Sequence, residues 1–217
     1  MSTVLEKPPE YGSLTLEFPL RPISLQGSSQ AKQELMAAIR KSIENYQFFF
    51  SGEVKIDVLW LLHPKERYQG IQSPDIDNIL KPLIDGLSGI DGILVNDCQV
   101  QSVSCSWIDQ LTDKHNLAIE LKYSPDDWIK KNNLTWIEIS EKLCMPLDTS
   151  LPNEVQLVLL ETWEQMFSFK SEIVEKTGAW ENGQMVMPIQ MPFHRARLSE
   201  FTLSTIEDYR SRITQAE

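Results

Sequence analysis

Residues 53–63 (EVKIDVLWLLH) place the strongest constraint on what this chain can become. The run alternates at first, with Val54, Ile56 and Val58 apolar, then turns continuously apolar, which predicts a strand buried on both faces. After a polar stretch, residues 75–88 repeat apolar side chains at Ile76, Ile79, Leu80, Leu83, Ile84 and Leu87. That is a helical period, and Gly89 stands where a helix ends. A buried strand followed by an amphipathic helix demands a sheet with helices laid on it.

The flanking segments extend this pattern. Residues 13–20 (SLTLEFPL) alternate as a first strand, and Ser28 or Ser29 caps a helix running to about Tyr46 with Leu35, Ala38 and Ile39 on one face. Pro82 falls inside the period of residues 75–88, where it forfeits a backbone hydrogen bond, so a start near Asn78 or a bend is expected. Residues 98–108 and 116–123 read as two strands joined in a hairpin by the polar turn 109–115.

From Ser124 the character changes. Capping-box spacings at 124–127, 135–138 and 204–207 predict helix starts. Residues 153–177 predict one long helix with Gly178 just past its end, and 180–192 an irregular connection. The expected architecture is α+β. A mixed-sheet domain of order β-α-β-α-β-β occupies 12–123, and a mainly α-helical C-terminal extension occupies 124–217.

With 217 residues, 41% of them hydrophobic, the chain can bury a sizeable core. No apolar run reaches the roughly 20 residues of a membrane span, and residues 1–10 lack the order of a signal peptide, so a cytoplasmic location with no membrane partner is expected. Cys98, Cys105 and Cys144 share no metal-ligand spacing and read as reduced core thiols. Trp128, Trp136, Trp163 and Trp180 read as core or interface anchors. The net charge of −11 is spread over both parts, with 11 Lys and Arg against 16 Asp and Glu in 1–124 and 9 against 15 in 125–217. Any contact with DNA must therefore be local.

The chemistry concentrates in SPDIDNILKPLIDGLSGIDGILVNDCQV, residues 73–100. Asp75 and Asp77 stand at the mouth of the predicted helix, where two carboxylates can turn toward one hard cation. Lys81 and Asp85 follow Asp77 at successive steps of four, forming a charged stripe opposite the apolar one. Taken alone, that stripe is an ordinary solvated ion pair. Asp97 adds a third acid, after a short apolar turn that can return it to the helix start. Three carboxylates without a His or Cys cluster select Mg²⁺ or Mn²⁺ over zinc or iron. Phosphodiester hydrolysis uses such sites, because metal ions neutralise the attacking and leaving oxygens, and a lysine beside them adds positive charge.

The pattern Asp75-x-Asp77-Asn78-x-x-Lys81, with Asp85 in the same helix and Asn96-Asp97-x-Gln99-Val100 after it, resembles the motif of RusA-family crossover-junction endodeoxyribonucleases over about residues 12–123. The resemblance implies a RusA-like domain in which Asp75, Asp77 and Asp97 are metal-binding catalytic residues and Lys81 is an essential basic partner. It also implies a homodimer that cuts two strands symmetrically at a Holliday (four-way) junction, in recombination and repair. One position departs: Asn96 stands where members of the family often carry an acid. The run with His63, Lys65, Arg67 and Tyr68 resembles the basic segment that precedes the acidic motif, so Lys65 and Arg67 would hold phosphates and Tyr68 would stack on a base. His194, Arg195 and Arg197 form a small basic patch in the tail, and the tail itself is a candidate to bind a protein partner. The competing function is a catalytically weakened DNA-binding or regulatory protein of the same fold, to which the acidic balance and Asn96 would point.

Overall fold

The computed structural model describes residues 4–19, 28–69, 76–111, 116–188 and 190–215, with only the backbone described at 67, 77 and 78. The chain folds as two compact units, Met1–Ile129 and Lys130–Glu217. It is a mixed α/β protein throughout.

The first unit is built on β1 (Ser13–Phe18), α1 (Ser29–Ile43), β2 (Phe48–Phe50), β3 (Val54–Leu62), α2 (Pro64–Gln69), α3 (Ile76–Leu87), β4 (Val100–Asp109), β5 (Asn116–Tyr123) and β6 (Trp128–Lys130). Its main sheet has the order β1-β5-β3-β4, and β2 pairs separately with β6. Strand β3 runs antiparallel to β5 and parallel to β4, so the connection through α2 and α3 is a β-α-β crossover. The expected hairpin of residues 98–123 is thereby corrected: β3 lies between its two strands. Its near-continuous apolar sequence gains most from a central place, flanked by partners on both edges.

The two-residue period of the strands sends Leu14, Leu16 and Phe18, then Val54, Ile56, Val58 and Trp60, then Leu117, Ile119, Leu121 and Tyr123 into one core. Leu35, Ile39 and Ile43 of α1 and Ile79, Leu83 and Leu87 of α3 complete it. Helix α1 starts where Ser28 Oγ accepts the Ala31 amide at 3.2 Å. The opposite sheet face is polar or half-buried, and Leu59 and Leu61 are only half-buried there, so β3 is not enclosed on both sides as expected. On that face the register sets Lys55 opposite Lys122 and Asp57 opposite Glu120, like against like. Lys122 relieves the acidic pair: its Nζ lies 2.6 Å from Asp57, diagonally across the strands, and 3.3 Å from Glu120, two residues back on its own strand.

Two further local readings change. Residues 64–69, expected as loop, are helical, because His63 Nδ1 accepts the Lys65 amide at 3.1 Å and supplies a cap. Helix α3 begins at Ile76, ahead of Asn78, and carries Pro82 in its interior. The core contacts of Ile79, Leu83 and Leu87 hold the helix across the missing amide.

The second unit contains β7 (Leu134–Ser140), β8 (Leu143–Asp148), α4 (Asn153–Thr177), α5 (Trp180–Gln184), β9 (Phe193–His194), β10 (Leu203–Thr205) and α6 (Ile206–Gln215). Helix is its larger part, yet a sheet of order β10-β7-β8-β9 runs through it, which the sequence reading did not expect. The Thr135 to Glu138 spacing, expected as a helix start, belongs to β7. What governs there is the turn at Glu141 (φ +48°) and Lys142 (φ +66°), two left-handed residues that close a tight hairpin. The 204–207 signal shifts by one residue, since Thr205 Oγ1 accepts the Asp208 amide at 3.2 Å to begin α6.

Leu160, Trp163 and Phe167 of α4 and Ile206, Tyr209 and Ile213 of α6 form a core with Ile137, Met145 and Leu147 of the hairpin. Buried Gln156 ties the pieces, accepting the Tyr209 hydroxyl at 2.7 Å and donating to the Leu151 carbonyl at 2.6 Å. Trp136 is fully buried and meets Phe193 edge-on at 5.3 Å, whereas Trp180 is exposed beneath the Lys170 ammonium. Helix α4 ends at Gly178 (φ +66°), whose amide reaches the Val174 carbonyl. The segment from 180 opens with α5 rather than irregular chain.

Candidate acidic centre on helix α3

Helix α3 fixes the spacing of the centre. Positions 77, 81 and 85 are one helical turn apart and share a face. Lys81 Nζ lies 2.7 Å from Asp85 Oδ1 and 3.4 Å from Asp97 Oδ2. The lysine thus joins two acids that are twelve residues apart in sequence, and it is the point where the following turn is brought back onto the helix.

That return is built from glycines and buried apolar anchors. Gly89 adopts φ +88° and its amide reaches the Leu94 carbonyl at 3.0 Å. At Gly92 a Cβ would stand 2.2 Å from the Leu87 carbonyl oxygen, so no other residue fits there without moving the backbone. Ile93, Leu94 and Val95 are buried, and the Phe50 amide donates to the Ile93 carbonyl at 2.8 Å. The chain then enters a single 3₁₀ turn, Asp97–Gln99, which leads into β4.

Asn96 caps this turn. Its Oδ1 accepts the Cys98 amide at 3.1 Å, while Gln99 Oε1 reaches back to the Asn96 amide at 3.1 Å. The amide at the departing position therefore does backbone work, which an aspartate oxygen would do equally well. Gln99 is fully buried, and Asp97 beside it is half-exposed.

The electrostatics of Lys81 follow from these distances. The hydrogen bond to Asp85 does most to hold its proton more firmly than usual; burial opposes this, and the charge of Asp85 and then the hydrogen bond and charge of Asp97 reinforce it. Lys81 is a fixed positive charge at neutral pH rather than a proton acceptor.

The remaining sequence candidates are placed as follows. Asp75 lies outside the described residues, as does the side chain of Asp77, the second residue of α3. Lys65 and Tyr68 are exposed on α2, and the Arg67 side chain is outside the description. Among the described residues, no group of three or more His, Cys, Asp or Glu side chains is gathered to hold a metal ion. Of the three thiols, Cys98 is exposed, Cys105 half-buried and Cys144 buried, so the expectation of core thiols fails at Cys98, which the 3₁₀ turn presents to solvent. Among the described residues no helix is long and apolar enough to cross a membrane.

Residues 24–122 match the family model of endodeoxyribonuclease RusA. The match spans 99 of the chain's 217 residues and makes this segment similar to the RusA family. The RusA segment takes in the whole acidic motif, the α3 face, the 3₁₀ turn and all but the last residue of β5, and it leaves β1 and the second unit outside. A comparison with curated proteins gives no match. The RusA family is one of endodeoxyribonucleases, and Lys81 and Asp97 stand together within the matched segment. Two contributions escaped the sequence reading: the buried amide of Gln99 and the steric need for Gly92. The glycine in the apolar turn was the available signal for the second.

Proposed function

We propose that this chain is a Mg²⁺-dependent, structure-selective endodeoxyribonuclease acting on Holliday (four-way) junctions in DNA recombination and repair. The observation that carries the reading is the convergence of Lys81 and Asp97 on the α3 face that also bears position 77, within a RusA segment.

Asp97 offers a half-exposed carboxylate on a turn anchored by buried bonds, and oxygen donors of that kind suit hard ions such as Mg²⁺ or Mn²⁺. Asp75, Asp77 and Asp97 would hold the metal, which when bound neutralises charge on the oxygens of the phosphodiester. Lys81, kept protonated by Asp85 and Asp97, opposes the charge that grows on the phosphate. Asp85 holds the ammonium at the edge of the centre. Lys65 and Arg67 would engage phosphates on either side of the scissile bond, and Tyr68, 70% exposed, would stack on an unpaired base. We further propose a cytoplasmic homodimer, whose two centres would meet the two strands of a junction.

Asp77→Asn is the direct test. Cutting of a synthetic four-way junction in Mg²⁺ is expected to be lost, and undiminished cutting refutes the site. The acidic balance of −11 and Asn96 point to one competing reading, a catalytically weakened DNA-binding or regulatory protein of the same fold. Junction binding without cleavage by the unaltered protein, across Mg²⁺ and Mn²⁺ concentrations, would establish that alternative.

A further inference from the structure

Gln99 is fully buried and uses the whole hydrogen-bonding capacity of its amide. Oε1 accepts from the Val95 amide at 2.7 Å and the Asn96 amide at 3.1 Å. Nε2 donates to the Phe50 carbonyl at 2.8 Å and the Gly52 carbonyl at 2.9 Å. The two amides and the two carbonyls belong to segments nearly fifty residues apart, the turn that carries Asp97 and the corner between β2 and β3. This set of partners also fixes which end of the side chain is oxygen, because N–H groups meet one end and carbonyls the other.

No other residue satisfies all four groups. Glutamate lacks the donors, asparagine is one methylene too short to span the corner, and methionine fills the volume with no polar bond. A buried amide or carbonyl left without its partner is costly, so the turn would move to find one. Asp97 stands between Asn96 and Gln99 and would move with it.

We propose that Gln99 is a positioning residue of the acidic centre, whose amide locks residues 95–97 onto the β2–β3 corner so that the Asp97 carboxylate is presented to the bound cation. This rests on the reading of Asp97 as a metal ligand. Gln99 touches neither metal nor DNA and acts only through the backbone of the turn. Supporting groups of this kind typically change metal affinity by about 10–100-fold when removed.

The test uses the full chain and Mn²⁺ alone, measured by calorimetry well below the melting temperature, with amide hydrogen exchange on the metal-free protein. Gln99→Met is expected to weaken Mn²⁺ binding by at least about tenfold and to accelerate exchange at Val95 and Asn96, while circular dichroism stays that of the folded chain. Gln99→Asn serves if the methionine variant fails to fold, since it keeps a neutral amide in the core but cannot reach both partners. A purely structural role would lower the melting temperature and leave the Mn²⁺ affinity of the folded protein unchanged, which would overturn the inference. Asp97→Asn separates the two levels. If it binds Mn²⁺ as the unaltered protein does, or if neither binds, the metal reading of Asp97 falls and the inference with it. If Mn²⁺ binding is lost in Asp97→Asn but intact in the folded Gln99 variants, only the inference falls.

Discussion

Among the described residues, Lys81 makes two ion pairs, and Asp85→Asn removes the shorter, at 2.7 Å, leaving the one to Asp97, at 3.4 Å. Both partners of the lost pair are substantially exposed, and pairs spaced by four residues on a helix surface are worth about 0.3–0.5 kcal/mol. Stability should fall by no more than that. The larger consequence lies at Asp97, which becomes the nearest acid to the Lys81 ammonium among the described residues. A cation arriving at Asp97 must then displace a more tightly held lysine. If all of that roughly 0.3–0.5 kcal/mol is redirected, and about 1.4 kcal/mol corresponds to tenfold, Mn²⁺ binding weakens by about twofold. Calorimetry with Mn²⁺ at low ionic strength reads this directly, and the ratio should shrink toward one in about 0.5 M salt, where screening acts over a few ångströms. The same pair of variants in a Lys81→Met background closes a double-mutant cycle. Equal weakening in both backgrounds would refute the reasoning, because Asp85 would then act through its own charge and not through Lys81.

Three further outcomes follow from the geometry. Because Asp85 and Asp97 raise the Lys81 pKa above its ordinary 10.5, the lysine's contribution is complete below that value and is lost only as pH rises through the higher folded value, so cutting should show no Lys81-dependent decline between pH 7 and about 10; a Lys81-dependent fall near pH 8 would contradict this. Gly92→Ala forces a Cβ to within 2.2 Å of the Leu87 carbonyl, and a loss of about 1–3 kcal/mol is expected in urea unfolding, with a change below about 0.5 kcal/mol refuting the steric argument. Thiol labelling at pH 8, followed by peptide mass spectrometry, should mark exposed Cys98 first, then half-buried Cys105, and Cys144 only on unfolding, since burial pushes the Cys144 thiol up to about 11; comparable rates at Cys98 and Cys144 would count against the packing of the second unit.

Elements whose signal is local were legible in the sequence. Ser28 announced α1, the spacing from Ile79 to Leu87 announced α3, and Gly178 marked the end of α4. Strand order was not, because alternation tells which face a residue takes but not which neighbour it meets, and β3 came to lie between β4 and β5. Hairpin β7–β8 was obscured by a Thr-x-x-Glu spacing that here lies within a strand, and its turn uses Glu141 and Lys142 in place of the usual Asn and Gly. In the acidic centre, the four-residue steps from Asp77 to Asp85 were readable from helical geometry alone. The sequence reading expected Asp97 to return to the helix start, and the structure sets it beside Lys81 in mid-helix; the means was hidden, since Gln99 works through carbonyls at 50 and 52 that no short-range pattern connects to it.

The parallel pairing of β3 with β4 also governs the order in which this domain can mature. Helix α3 and its Lys81–Asp85 pair need only twelve consecutive residues, whereas Val54 meets Val100 and Val58 meets Ile119 only after long loops have closed. Pairings of such sequence separation are slow to form. Asp97 sits immediately ahead of β4 and reaches Lys81 only once the crossover has seated that strand. Lys81 and Asp97 therefore stand together only in a domain whose sheet is already complete, and a nascent or partly unfolded chain lacks the assembled centre.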